Sequence, residues 1–285
     1  MNQIIETTFA VESDSFQIKP SQLLAIHTGL SQAKVKDAMQ KGAVWLHRGK
    51  KKVRLRRASK SLKVGDKLEI NYNAELLNQI VPVPELIHDE GDFSIWFKPY
   101  GLHCQGSRWG DFLSINRWVE SHIAALTDGT ERPVFLVHRL DRATSGLMIL
   151  GHSKTAARLF SGLFKDGKMD KRYQAIVEGD CSDMPRDFTV DVEIDGKPAI
   201  SIFNCSKSKD GYSLVEVNLL TGRKHQIRQH LKFVGHPIVG DRLYGNANIG
   251  DCDLQLQSVS IAFTCPITNK PQYFEVADKF RLKLK

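Results

Sequence analysis

The chain has 285 residues, of which 41% are hydrophobic and 25% charged, enough to bury a sizeable core and to form one large domain beside a small one without help from disulfides or a structural metal. No run approaches the roughly 20 apolar residues that span a bilayer, and the opening MNQIIETTFAVESD lacks the basic start and apolar centre of a secretory signal. The five cysteines include no C-x-x-C pair, so a cytoplasmic protein with reduced thiols is expected, rather than a disulfide framework or a zinc protein.

The net charge of +8 is unevenly distributed. Between Ser31 and Ile70 stand 13 Lys and Arg against three acids, Asp37, Asp66 and Glu69, whereas the rest of the chain carries 27 basic and 29 acidic side chains. A local block of positive charge on a near-neutral body is the electrostatic footprint of a nucleic-acid-binding module. A solvated basic surface is the blander alternative.

Residues 1–15 show no clear period and are expected to form a loose arm. Residues 16–75 are expected to be a small basic domain. Ser31 can cap a helix running to Lys41 with Gly42 as its stop, and Val35, Ala38 and Met39 share one helical face. Lys34 and Lys41, seven residues apart, share another. Ala43–Leu46 reads as a strand, RGKKK as a turn, Val53–Arg57 as an exposed strand, and VGDKLEINYN as a turn and a final strand. Pro82 and Pro84 mark a linker over 76–84.

Residues 85–285 are expected to form the larger domain. FSIWFK, FLVHRL, GLMILG, RYQAIVEG, FTVDVEI, AISIFN, SLVEVNLL, SIAFTC and QYFEV read as strands; KTAARLFSGLF and KHQIRQHLKFV read as helices. Strands outnumber helices and do not alternate with them, which predicts an α+β fold on a mixed, largely antiparallel sheet.

Within it, HRLDRATSGL is the most unusual stretch. An apolar strand feeds a charged turn in which Asp141 stands between Arg139 and Arg142, and a second apolar strand, Leu147–Leu150, leaves it. Loops held by strands commonly carry catalytic groups. A carboxylate flanked by cations can be a nucleophile or the partner of a developing sugar cation, or simply a turn aspartate bonded to its own backbone. Similarly, Tyr173 can be an ordinary strand aromatic, and Arg228 part of a basic helix stripe with Lys224 and Lys232 that binds phosphates. The ten histidines include no H-E-x-x-H pair, and His225 and His230, five apart, do not align on a helix, so no metal site is expected.

HRLDRATSGL resembles the signature HRLD-x-x-TSG-L of the RluA family of RNA pseudouridine synthases. Five further segments resemble that family's elements in the same order: KPYGLHCQG, KRYQAIVEG, LLTGRKHQIRQHL, HPIVGDRLYG and LQLQSVSIAFTCPIT. Gln257 and Cys265 stand where the family usually has His. The small basic segment, through GLSQAKVKDAMQKGAV and SLKVGDKLEI, resembles an RNA-binding domain of the ribosomal-protein S-four type, with a more basic hairpin, RGKKKVRLRR.

The resemblance implies isomerisation of uridine to pseudouridine in structured ribosomal or transfer RNA, by a monomer needing no cofactor and no metal. It implies Asp141 as the catalytic aspartate, Tyr173 as the tyrosine against the flipped uracil and Arg228 as the arginine paired with the aspartate. Leu256 would be a wall of the base pocket, and Arg139 would reach into the RNA. Extruding a base costs a few kcal/mol, and stacking on an aromatic returns about 1–3 kcal/mol. Lys34, Lys41, Lys51, Lys52, Arg54, Arg56 and Arg57 are the expected phosphate contacts of the basic domain. Two rivals remain: an RNA-binding protein with a silent catalytic domain, and a hydrolase using Asp141 and water.

Overall fold

The computed structural model describes residues 3–245 and 252–284. The chain forms two compact units, Met1–Val81 with Gln105–Trp118, and Pro82–Cys104 with Val119–Lys285.

The first unit contains β1 (Ile4–Ala10), α1 (Pro20–Thr28), α2 (Gln32–Gln40), β2 (Val44–Arg48), β3 (Lys51–Arg54), β4 (Lys67–Asn73) and the single turn α3 (Ala74–Leu77). Its strands form an antiparallel sheet in the order β1-β4-β2-β3. Ser31 caps α2 by accepting from the Lys34 N–H at 3.3 Å, and Gly42, at φ 79°, ends it in the left-handed conformation that glycine adopts without cost. Leu23, Leu24, Val35, Ala38 and Met39 of the helices pack with Val44, Leu46, Leu68 and Ile70 of the sheet. Each buried Leu, Ile, Val or Met among them contributes about 1.5–3 kcal/mol.

Three features differ from expectation. The supposed arm contains β1, which pairs with β4 from Ile4↔Asn73 to Ala10↔Lys67. As an edge strand with no residue fully buried, it carries little hydrophobic signal. The expected linker begins with the end of α3, capped by Asn73. Residues 105–118, expected in the large domain, belong to the first unit. Asp111 there meets Arg54 and Arg56, and the Arg108 carbonyl accepts from the Trp45 indole at 3.2 Å.

The second unit contains β5 (Glu85–Asp89), β6 (Phe93–Lys98), β7 (Phe135–Leu136), β8 (Ser145–Gly151), α5 (Lys154–Lys165), β9 (Asp170–Glu178), β10 (Phe188–Asp191), β11 (Ile200–Lys209), β12 (Tyr212–Leu219), α6 (Gln226–Phe233), β13 (Leu256–Thr264) and β14 (Pro271–Glu275). The division between units falls inside α4 (Ile115–Leu126), a helix missed in the sequence although Ile115, Val119 and Ile123 recur every four residues and are fully buried.

The large sheet runs β10-β11-β12-β9-β13-β8-β6-β5, with β14 on β13 and β7 on β8. Among the described residues only the β13–β8 pair is parallel, so the architecture is α+β on a mixed, largely antiparallel sheet. Strand β6 is buried throughout, as is β8 after its first residue, which explains their largely apolar composition. Ser153 caps α5 through the Ala156 N–H at 3.0 Å, and Phe160 of that helix packs against Phe93 and Phe263. The chain between β7 and β8 carries HRLD, so the best-packed strand of the sheet anchors the most polar turn. No helix among the described residues is long and apolar enough to cross a membrane.

Candidate active site

The turn after His138 is held from below. The His138 imidazole accepts from the Ile149 N–H at 3.0 Å and stacks on Phe164, and burial pushes its pKa down to about 3. It is therefore a neutral structural group. The next segment is laced to residues 98–104. The Leu140 N–H donates to the Cys104 Sγ at 3.2 Å, and the thiol donates to the Leu140 carbonyl at 3.0 Å. Lys98 is fully buried, and its Nζ donates to the carbonyls of Leu102, Pro99 and Arg142 at 2.9, 3.1 and 3.4 Å. Burial pushes its pKa down to about 8, against the opposing pull of Cys104 and Asp141. Asp141 is thus presented by a fastened loop, its side chain 25% exposed, while Arg139 and Arg142 project into solvent.

Gly146 sets what lies beside that loop. It has φ 117°, and a Cβ on it would collide with the Ser258 backbone. Only glycine lets β8 approach β13 this closely, in the register Gln257↔Ser145 and Ser258↔Gly146. Strand β13 in turn pairs with β9, placing Ser258 opposite Tyr173 and Leu256 opposite Ala175. Tyr173, Leu256 and Ser258 therefore share one face of the sheet. Tyr173 is almost fully buried, and burial pushes its pKa up to about 12; its hydrogen bond with Ser258 opposes the shift and the charge of Asp141 adds to it. A phenol in this state stays neutral at physiological pH. Leu256 is 3% exposed.

Helix α6 supplies Arg228, with one difference from expectation. Its close partner is Asp241. Arg228 Nε and Nη2 donate to Asp241 Oδ2 and Oδ1, both at 2.7 Å, whereas Arg228 Nη1 lies 3.7 Å from Asp141 Oδ2. Asp241 also accepts from the backbone N–H groups of Leu243 and Tyr244 at 2.9 and 3.0 Å. Burial opposes its ionisation, but the Arg228 fork and these N–H groups outweigh burial and hold its pKa below the ordinary carboxylate range. The guanidinium is therefore anchored on one carboxylate and offers its remaining edge to the other. Arg228 also lies over the Tyr244 ring, 5.1 Å from its centroid.

Sequence reasoning missed Asp241 and His225. His225 precedes α6 with φ 55°, and its Nε2 lies 3.5 Å from Asp141 Oδ2. Both stand inside the quoted HPIVGDRLYG and HQIR segments, but nothing in their spacing joins them; Asp241 lies 100 residues beyond Asp141. A cavity of about 250 Å³ on the same sheet is lined by Tyr173 as well as Arg172 and Gln174 of β9, but by neither Asp141 nor Arg228.

In the basic unit the seven expected phosphate contacts divide. Lys34, Lys51 and Arg57 are exposed. Lys52 is exposed but pairs with Glu69 at 2.8 Å and lies over the Trp45 ring. Lys41 Nζ is taken up by Asp37 at 3.0 Å and the Leu77 carbonyl at 2.6 Å. Arg54 donates to the Gly42 and Ser107 carbonyls and pairs with Asp111 at 3.1 Å. Arg56 donates to the Gln40 carbonyl at 2.7 Å and to Asp111. These last three serve inside the unit because the glycine-ended helix, α3 and residues 105–111 bring carbonyls and a carboxylate to them.

The sequence model of the RNA pseudouridylate synthase family matches residues 92–233. An uncharacterized RNA pseudouridine synthase of Bacillus subtilis is 33% identical over 232 residues, which cover 75% of this chain and 80% of that protein. The ribosomal large subunit pseudouridine synthase C of Vibrio vulnificus is 30% identical over 214 residues, covering 68% and 66%. Among solved structures, human RNA pseudouridylate synthase domain containing 4 shares the fold, with a TM-score of 0.57 and 24% identity over 67% of this chain and 87% of that one. With the HRLD loop, the Tyr173 strand and the Arg228 helix converging on one face, and with relatives of this similarity, the chain belongs to the RNA pseudouridine synthases of the RluA type, which are isomerases.

Proposed function

We propose that this enzyme isomerises uridines in structured ribosomal RNA, and that Asp141 is the group that carries out the bond exchange. The observation that supports this most directly is the placement of the Asp141 carboxylate, on a fastened but solvent-accessible loop, 3.7 Å from a buried arginine and close enough to Tyr173 to affect its phenol. The target base is extruded from its stack and enters against Tyr173 and Leu256, while exposed Arg139 reaches into the RNA. The bond from the anomeric carbon to the ring nitrogen breaks, the base turns, and a bond to the fifth ring carbon replaces it; that carbon loses a proton and the ring nitrogen gains one. The atoms of uridine are conserved, so the proposal requires no cofactor, and the chain acts as a monomer.

The first unit, in this proposal, is an S-four-type RNA-binding domain whose phosphate contacts are Lys34, Lys51, Lys52 and Arg57. Lys41, Arg54 and Arg56 contribute through the field of the block rather than by direct contact. Ribosomal RNA is favoured over transfer RNA because the Vibrio vulnificus relative named for it matches 68% of this chain, against 42% for a Haemophilus ducreyi relative named for transfer RNA.

The test is to incubate purified protein, without added cofactor, with total RNA from a strain lacking its gene and to map pseudouridine. New pseudouridine in ribosomal RNA is expected. Restoration in transfer RNA alone would move the substrate class, and no restoration in any RNA would overturn the proposal.

A further inference from the structure

His225 stands at the junction of three elements around Asp141. Its backbone is left-handed, φ 55° and ψ 24°, at the N-cap of α6, yet its side chain makes no capping bond. A non-glycine residue held there needs compensation from its surroundings. The compensation is visible on the ring. Nδ1 lies 3.1 Å from the Tyr244 hydroxyl, the Tyr244 ring stands edge-on at 5.6 Å, and Nε2 points at Asp141 Oδ2, 3.5 Å away. The ring faces Asp141 from the HRLD turn, Arg228 and Lys224 from α6 and its entry, and Asp241 and Tyr244 from the turn after Gly240. Burial lowers its pKa, Asp141 opposes this, and Arg228 and Lys224 reinforce it, so the imidazole is neutral at physiological pH. In a neutral imidazole one nitrogen donates and the other accepts. Tyr244 can donate to Nδ1, which leaves the proton on Nε2 facing Asp141.

The closest approaches of His225 and Arg228 to Asp141 fall on the same oxygen, Oδ2. From this the geometry points to a division of labour: His225 is a positioning residue that, with Arg228, holds Asp141 by Oδ2 and leaves Oδ1 to face the uridine. This rests on Asp141 being the reacting group. A neutral polar contact suits the task, because a ring N–H 3.5 Å away orients the carboxylate while drawing less on its electron density than a second cation would. Protonation of His225 would replace this neutral 3.5 Å contact with a second cation beside Arg228, and the reaction should slow.

Two substitutions separate this role from a structural one. Gln can carry its amide nitrogen about where Nε2 lies and does not titrate. Asn tolerates the left-handed backbone better than His, but is too short to reach Asp141. The measurement is single-turnover pseudouridine formation on total RNA from the deletion strain, across pH, together with RNA affinity and thermal midpoint. His225→Asn is expected to fold and bind RNA as the wild type does and to lose about tenfold or more in rate, the scale of one orienting hydrogen bond to a charged group. His225→Gln is expected to recover most of that rate and to flatten the acid decline, which in the wild type sets in below the ordinary imidazole range because burial lowers the His225 pKa. A wild-type rate and pH profile in His225→Asn would overturn the inference, as would a loss confined to thermal midpoint and RNA affinity. Asp141→Asn, measured alongside, separates the two claims. An active Asp141→Asn sinks the proposed function, whereas an inactive one beside a wild-type-like His225→Asn sinks only the role of His225.

Discussion

Arginine meets aspartate in both units, in opposite proportion. In the basic unit Arg54 and Arg56 share one carboxylate, Asp111, and all three side chains retain 14–27% of their exposure. In the catalytic unit one arginine, Arg228, serves two carboxylates, Asp241 and Asp141, and the Arg228–Asp241 pair is 6% and 0% exposed. The first cluster keeps an unneutralised positive charge at a partly wet surface, which suits attraction of phosphates at long range. The second keeps an unneutralised negative charge beside a buried fork, and that surplus sits on Asp141. The same two residue types thus leave a surplus cation in one place and a surplus anion in the other, according to stoichiometry and burial.

The comparison can be broken most decisively at Asp141. Asp141→Asn should lower single-turnover pseudouridine formation by roughly 10⁴-fold, the scale on which enzymes lose activity when a reacting side chain is removed, with RNA affinity little changed. Next comes the buried pair. Asp241→Asn leaves Arg228 underpaired out of water and should cost about 3–5 kcal/mol of stability in a denaturant titration. The pH dependence has a definite sign. Asp241 has a folded pKa below its ordinary value, so its contribution is complete above about pH 4 and is lost as pH falls further, through the folded pKa. The acid limb of the wild-type stability curve should therefore be shallower in Asp241→Asn.

Smaller effects are expected in the basic unit. Lys51→Ala and Arg57→Ala should each weaken RNA binding across sequences and reduce the salt slope by about one, without changing the rate at saturating RNA. The smallest stability change is expected from Asp111→Asn, about 1 kcal/mol or less, because its ion pairs are partly solvated. The same variant frees two arginines and should steepen the salt dependence of RNA binding. If Asp111→Asn destabilised the protein as much as Asp241→Asn, the distinction drawn from burial would be wrong.

Much of the catalytic unit was legible in the chain. Strands β6 and β8 announce themselves by largely apolar runs, α5 and α6 by helical spacing, and HRLDRATSGL by a charged turn between two apolar strands. The α+β class and the family follow from these and from the order of the quoted segments. The basic unit was legible in its charge and in α2, but β1 was not, because an edge strand half-buried on one face has weak alternation. The excursion of residues 105–118 into the first unit was invisible, since the contact of Asp111 with Arg56 spans 55 residues and leaves no local period.

The sequence by itself determined the chemistry available: one aspartate in a strand-held turn, an aromatic on a strand, an arginine on a helix, and a concentrated block of cations. Periodicity and charge are local properties, and they survive in one dimension. Which arginine holds which carboxylate was decided only by the tertiary structure. Arg228 takes Asp241 in its fork and touches Asp141 with its free edge because Gly146 lets β8 close on β13 and because the turn after Gly240 aims Asp241 at α6. A pairing of that kind depends on distances of a few ångströms between residues some hundred positions apart, and sequence spacing carries no information about them.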